Sequence, residues 1–472
     1  MENTIHDVSV SDCRLFYRMN GFMASIDLRN HPIPSSFLHY LLPAVSGMVV
    51  KSLYVMVDSI MVGRGVGADA LAALSLTVPF FALFLAMALM IGVGGAALMS
   101  TQFGRGNRTE GQKIFNQSIL MTLVISGLLV TVGFTWLDEF VLMTGASDAL
   151  FTMTRDYLEI MLMFFMVYAM GWVLSCFVRN DGNPRLTMYS LVASALTNVV
   201  LDYLFIFVFP WGVKGAALAT GLSQLVLFAG VMTHFIRGKG ELRIRLNPVG
   251  LSWVGKIFST GLPTFFIEST VGVSTLIFNW VLIRHGGDLY VTAYSIVINV
   301  AVLVLFILMG IGQACQPIIS FNHGANEVGR GRETLLLGIK SAIGVGVVAL
   351  MMASLATEWL IGLFVVDYPA LSELASLAMP LYFLAFPAMA VNLMIASFFQ
   401  AIEKPTLATI LSLGRGFGFV LTGLMVMPWL MPEYGIWLVV PFAEMVTLLF
   451  SLYLYYRYQA RTVPAVPVVL NT

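Results

Sequence analysis

Twelve stretches of this 472-residue chain are apolar for long enough to cross a lipid bilayer: about 37–63, 71–99, 114–137, 155–178, 185–208, 213–236, 252–283, 290–320, 334–357, 376–400, 406–427 and 434–457. A crossing helix needs about 20 predominantly apolar residues, and hydrocarbon tolerates only backbones whose polar groups are satisfied internally. The chain therefore reads as an all-α membrane protein of twelve transmembrane helices. Composition agrees, with 58% of residues hydrophobic and 11% charged, where a soluble domain carries about 25% charged. The formal net charge is zero, so nothing argues for nucleic acid or an acidic partner. Cys13, Cys176 and Cys315 have unrelated spacings and suggest neither a disulfide framework nor a metal site. Residues 1–36 hold Arg14, Arg18 and Arg29 among acids and prolines. They lack a signal-peptide apolar core and read as a cytosolic tail.

Lys and Arg accumulate in cytosolic loops. With the N-terminus inside, the inner segments hold nineteen of the twenty-five basic residues. The outer segments hold four, Arg64, Arg155, Lys214 and Arg284, while Lys51 and Arg415 lie within spans. This asymmetry predicts cytosolic termini at both ends.

The chain also repeats itself. Pro43 in HYLLPAV matches Pro263 in STGLPTF, 220 residues on. At the same offset Arg64 matches Arg284, Ser75 matches Ser295, Gly92 matches Gly312, Gly104 matches Gly324 and Gly215 matches Gly435. Each half has six spans, an even number, so the halves share one topology as parallel repeats about an axis along the membrane normal. Transporters of this plan handle substrate between the halves. The expected divisions are a tail 1–36, an N-lobe 37–236, a basic linker 237–251, a C-lobe 252–457 and a tail 458–472.

A carboxylate in the middle of a span costs about 2.5–3.5 kcal/mol even on lenient insertion scales, so each intramembrane charge asks for a reason. Asp58 lies about 30 Å from the inner start of its span and Asp202 about 25 Å from its own, at 1.5 Å per residue. Asn198 sits one turn below Asp202. Thr220 is about 10 Å below the outer start of the sixth span, with Gln224 a turn further in. Asp58, Asn198, Asp202 and Thr220 thus reach one level in the outer half, all from the N-terminal repeat. Such an oxygen-rich cluster suits a proton or a hard cation such as Na⁺; polar ties between helices are the alternative for Asn198 and Thr220.

Glu159 follows Arg155 by one turn near the outer surface and reads as a rim pair. Arg415 and Glu444 fall near mid-membrane on adjacent spans, which predicts a structural ion pair, with substrate contact as the second reading. Glu268 suits a substrate or an ion role. Lys51 is mid-membrane and either holds an acid ionised or bridges helices. RNDGNP, 179–184, reads as a turn without chemistry. There is no GxxxxGK[ST], HExxH or GxSxG pattern, so no enzyme is predicted, no cofactor is called for, and transport would draw on an ion gradient.

Three blocks carry a family resemblance: LPAVSGMVVKSLYVMVDSIMVGRGVGADALAALSL, RNDGNPRLTMYSLVASALTNVVLDYLFIF and GVKGAALATGLSQ, with second-half copies at GLP (261–263) and NHGAN (322–326). Over about 37–457 the chain resembles the multidrug and toxic compound extrusion (MATE) transporters, in their DinF/MepA-like bacterial branch. The resemblance implies two six-helix lobes around a central cavity in a bacterial inner membrane. It also implies export of cationic or amphiphilic drugs or toxic organic cations against inward Na⁺ or H⁺, by a chain expected to act as a monomer. The family's N-lobe cation site maps onto Asp58, Asn198, Asp202 and Thr220. Where the NorM-like branch has a second-lobe acid eight residues after the proline, this chain has Val271; Glu268 comes five after Pro263. The tenth span has no acid, and Asn392 is its most polar residue. Coupling is therefore expected in the first half. A lipid-linked oligosaccharide flippase, the rival reading, would need a strongly cationic central cavity, for which Lys51 and Arg415 are the candidates.

Overall fold

The computed structural model describes residues 27–244, 250–362 and 369–462. Residues 1–26 and 463–472, most of the two expected tails, lie outside the described residues, as do 245–249 of the linker. The membrane-length helices are α1 Ile33–Gly65, α2 Ala68–Gly104, α3 Arg108–Thr135, α4 Asp148–Asn180, α5 Pro184–Val208 and α6 Gly212–Ile236 in the first half. The second half has α7 over 254–285, then α8 Leu289–Gly324, α9 Val328–Leu355, α10 Pro369–Ala401, α11 Pro405–Leu430 and α12 Gly435–Arg461. α7 and α8 run together through a kink at Gly286 and Gly287; the φ of 68° at Gly287 suits a residue without Cβ.

Most helices outrun the apolar runs by several residues. The apolar rule senses hydrocarbon only, while the backbone stays helical through polar flanks until a cap ends it. Asn107 caps α3 by accepting the Glu110 N–H at 3.3 Å, and Asn183 caps α5 by accepting that of Leu186 at 3.3 Å. Proline at the first position of α5 suits that start. Within α5 and α11 the backbone slips into π turns, Tyr203–Val208 and Gly414–Gly418.

Each lobe has its own apolar core, yet the cores cross over at the helix feet. Ile33, Phe37 and Tyr40 at the start of α1 pack into the C-lobe core. Ile257 near the start of α7 packs into the N-lobe core, with Trp253, Val254 and Phe258 against it. At this end the lobes also meet along α2. Gly94 lies against the backbone of Ile257 and Gly261, and Gly104 and Gly324, the repeat pair, abut Phe321 and Thr101. A Cβ on these glycines would strike main chain, which is why the helices approach so closely here. Arg105 bridges to Glu403 at 3.2 Å across the same end.

The linker is fastened to the N-lobe. Gln112 Nε2 donates to the Arg243 carbonyl at 2.5 Å and its Oε1 accepts the Arg243 N–H at 2.9 Å. Asp181 accepts the N–H groups of Glu241 and Leu242, both at 3.1 Å, and meets the buried His234 at 2.9 Å. The Trp253 N–H donates to Gln117 at 2.9 Å and its indole to Glu110 at 2.8 Å.

Candidate functional site

The four residues that depth selected come together. α5 turns from α to π immediately after Asp202, and a π turn re-aims the side chains around it. Asp202 and Asn198 are fully buried, and Asp58 on α1 is half-buried beside the Asp202 carboxyl. Asn198 Nδ2 donates to Thr220 Oγ1 at 3.4 Å, tying α5 to α6. Four buried acceptors here, both Asp202 oxygens, Asp58 Oδ1 and Asn198 Oδ1, have no hydrogen-bond partner. Gln224 Oε1, a turn further in, is likewise without one. Among the described residues no basic side chain pairs with either acid.

Buried polar atoms are nearly always paired, so a knot of orphaned oxygens is a demand for a proton or a cation. Its donors are all hard oxygens, which fits Na⁺ as well as H⁺. Tyr157 on α4 was not singled out in the sequence. Its hydroxyl lies against Thr220 and within the field of both acids, and its ring belongs to the outer N-lobe core with Val62 and Ile206. A search for charges passes over a phenol; counting depth for every polar ring would have placed Tyr157 at this level.

The C-lobe charges form a closed set. Arg415, within the π turn of α11, holds Glu444 Oε1 at 2.5 Å. Asn392 Nδ2 donates to Glu444 Oε2 and to its carbonyl, both at 2.8 Å, and Ser451 donates to Asn392 Oδ1 at 2.8 Å. Glu444 and Asn392 are 3% and 2% exposed. The structural ion pair expected between α11 and α12 is therefore the arrangement found, extended by Asn392. The Arg155–Glu159 rim pair is present at 2.8 Å, with Asp138 also on Arg155 at 2.7 Å.

Between the lobes lies a cavity of about 1210 Å³, its open mouth included, lined by Lys51, Trp172, Arg179, Glu268, Gln313 and apolar side chains among others. Two expectations need correction here. Arg415 does not line this cavity; it turns into the C-lobe toward Glu444. RNDGNP is more than a turn: Arg179 donates to Gln313 at 2.7 Å and Asn180 to Gln316 at 3.1 Å, joining the lobes, while Asp181 anchors the linker. Loop composition announced the turn and concealed that its first residues finish α4 facing the other lobe. Lys51 sits over the faces of Trp172 and Phe306, at 4.6 and 5.1 Å from the ring centroids, and within the field of Glu268.

Comparison with known proteins agrees with this architecture. The MatE family model matches the chain twice, over 43–204 and 263–427, starting at the two repeat prolines. The multidrug export protein MepA of Staphylococcus aureus (strain N315) is 24% identical over 387 residues, covering 82% of this chain and 85% of MepA. The solved MATE multidrug transporter DinF-BH superposes with a TM-score of 0.83 at 29% identity, covering 90% of this chain and 96% of that one. An outward-facing multidrug resistance MATE family transporter of the MOP superfamily superposes with a TM-score of 0.88 at 21% identity, covering 93% and 99%. With the family model matching most of both halves of the chain, over 43–204 and 263–427, this chain belongs to the MatE family.

Proposed function

We propose that the protein is a secondary multidrug efflux antiporter that exports cationic or amphiphilic organic compounds in exchange for inward Na⁺ or H⁺. The observation that carries this reading is the cluster of orphaned oxygens on Asp58, Asn198 and Asp202, with Thr220 beside them, buried in one lobe of a two-lobe carrier. The names of MepA and DinF-BH support the drug-export half of the reading. The central cavity holds Lys51 and Arg179 against the acid Glu268, short of the strongly cationic chamber that a lipid-linked oligosaccharide flippase would need. The protein needs no cofactor beyond its coupling ion, performs no covalent chemistry, and works as a monomer with lobes 37–236 and 252–457.

The excess of Lys and Arg in one set of loops supports termini that both lie in the cytosol, and we take the membrane to be a bacterial inner membrane. On that orientation the α2 glycine contacts and the Arg179–Gln313 bond join the lobes towards their cytosolic side. In the proposed cycle a cation arriving from outside takes the N-lobe cluster as drug is released. Antiport requires the two ligands to favour opposite states of the lobes, so each weakens the other by the same factor.

Purified protein in vesicles, given a fluorescent dye and separately imposed Na⁺ and pH gradients, tests the coupling. Accumulation driven by at least one gradient is expected; dye movement that ignores both overturns the antiport. Orientation is checked with an impermeant thiol reagent on intact cells. Cysteines at Asp148 and Pro369 should label and one at Lys239 should not; the reverse pattern inverts the direction of transport.

A further inference from the structure

α5 presents a buried polar side chain at every fourth residue: Ser190, Ser194, Asn198 and Asp202. A step of four residues is about 6 Å along one helix face. α6 answers with Thr220, Ser223 and Gln224, and then with Gly230, where a Cβ would strike the Ser190 hydroxyl. Hydrogen bonds join the two helices along this line. Asn198 donates to Thr220 Oγ1 at 3.4 Å, and Ser194 to the Ser223 carbonyl at 2.6 Å. The Ser223 hydroxyl donates to the Thr220 carbonyl at 2.7 Å and accepts the Gln224 amide at 3.4 Å. The seam thus runs from the cluster at Asp202 toward the start of α5. It ends at Ser190, whose neighbours Thr187 and Leu191 line the central cavity, as does Leu227 of α6.

Polar ties between membrane helices account for the bonds, but not for what is left over. Among the described residues, half of the buried side-chain N and O atoms without a hydrogen bond belong to this seam or to Asp58 at its head. Beyond the cluster itself they are Gln224 Oε1 and Ser190 Oγ, on residues 2% and 4% exposed. A serine kept only as a tie would be satisfied, as the hydroxyls of Ser194 and Ser223 are. Buried polar atoms without a partner are costly unless water or an ion reaches them. We propose that the α5–α6 seam is the route by which the coupling cation passes between the N-lobe cluster and the central cavity, with Gln224 and Ser190 as its stations. Na⁺ is handed between their hard oxygens; a proton travels on water that they hold. The route conducts only in the state that releases the cation, since a path open throughout the cycle would dissipate the gradient. This inference rests on the antiport reading above and adds to it the way the ion leaves.

Ser190→Ala combined with Gln224→Met tests it, because each change removes an oxygen that has no partner to strand. Accumulation of a fluorescent dye in vesicles is measured under Na⁺ and pH gradients imposed separately, which tells the two cations apart. The double variant should lose about tenfold in maximal rate, the scale of one hydrogen bond to a charged group. Its half-maximal cation concentration should stay within about twofold of wild type, because the four cluster residues are intact. A second measurement reads water in the seam directly. In vesicles turning over dye, 2-aminoethyl methanethiosulfonate should label Ser190→Cys at least about tenfold faster than Ala195→Cys, a buried position off the stripe. The reagent attacks thiolate, which an apolar burial suppresses, and mass spectrometry quantifies each site. Equal labelling, or an unchanged maximal rate in the double variant, overturns the route and leaves antiport standing. So does a half-maximal concentration that rises in step with the lost rate, which would make both residues part of the cluster's own binding. If the wild type accumulates dye under neither gradient, the antiport reading falls and the route with it.

Discussion

The two lobes descend from one repeat and bury acids in opposite company. In the C-lobe Glu444 is clasped by Arg415 and Asn392. Its counterpart 220 residues earlier is Gln224, a neutral amide. In the N-lobe the acids are Asp58 and Asp202, with orphaned oxygens and no basic partner among the described residues. A buried acid with its cation built in is part of the wall. A buried acid without one is left in need of a proton or a cation from elsewhere, which is why we propose coupling in the N-lobe.

The largest expected effect separates the lobes by function. Asp202→Asn should reduce dye efflux by at least about a hundredfold, since an amide neither takes up a proton nor carries charge in this range. The thermal midpoint should stay level or rise, because no partner is orphaned. Wild-type efflux in this variant would erase the distinction between the lobes. The C-lobe should answer in the opposite way. Arg415→Met strands Glu444 and should cost about 3–5 kcal/mol of stability, most of it regained by adding Glu444→Leu. Thermal unfolding of single and double variants measures this; a harmless Arg415→Met would mean that Glu444 draws its charge balance from elsewhere.

A smaller effect sharpens the N-lobe site. Saturating cation should weaken drug binding by about 5–150-fold in the wild type, the usual span of coupling between sites. Asp58→Asn or Asp202→Asn alone should abolish that dependence, and the double variant should lose nothing more. Losses that simply add would show two independent sites. The smallest is Tyr157→Phe, which removes a hydroxyl at the edge of the cluster and should weaken the apparent affinity for the coupling ion by about 0.5–1.5 kcal/mol. No change in the ion dependence of efflux would place Tyr157 in the packing alone.

The oxygen cluster was legible because helical rise is linear. Residue counts from the span ends place Asp58, Asn198, Asp202 and Thr220 at one height, and the lobe's packing then brings equal heights together. The Arg415–Glu444 pair followed from the same count on adjacent spans. What escaped the sequence depends on rotation and partnership rather than height. Arg179 faces across the lobes because of where α4 ends its last turn, which loop composition does not encode. The π turns after Asp202 and around Arg415 are slips in backbone hydrogen bonding, and hydropathy is blind to them. The helix ends were short for a related reason, since caps such as Asn107 and Asn183 act beyond the apolar run.

The crossed feet of α1 and α7 set the mechanics of any lobe movement. Each of these helices starts inside the core of the opposite lobe and crosses to its own. Two bodies joined in this way cannot part at their feet by simple rotation, because each has an ankle strapped to the other. The yielding points are given by chemistry: Pro43 and Pro263 lie a few residues above those feet, and each leaves its helix one backbone hydrogen bond short. The repeat has thus supplied a matched pair of flexures, and any parting of the lobes at their feet would have to bend those two proline joints.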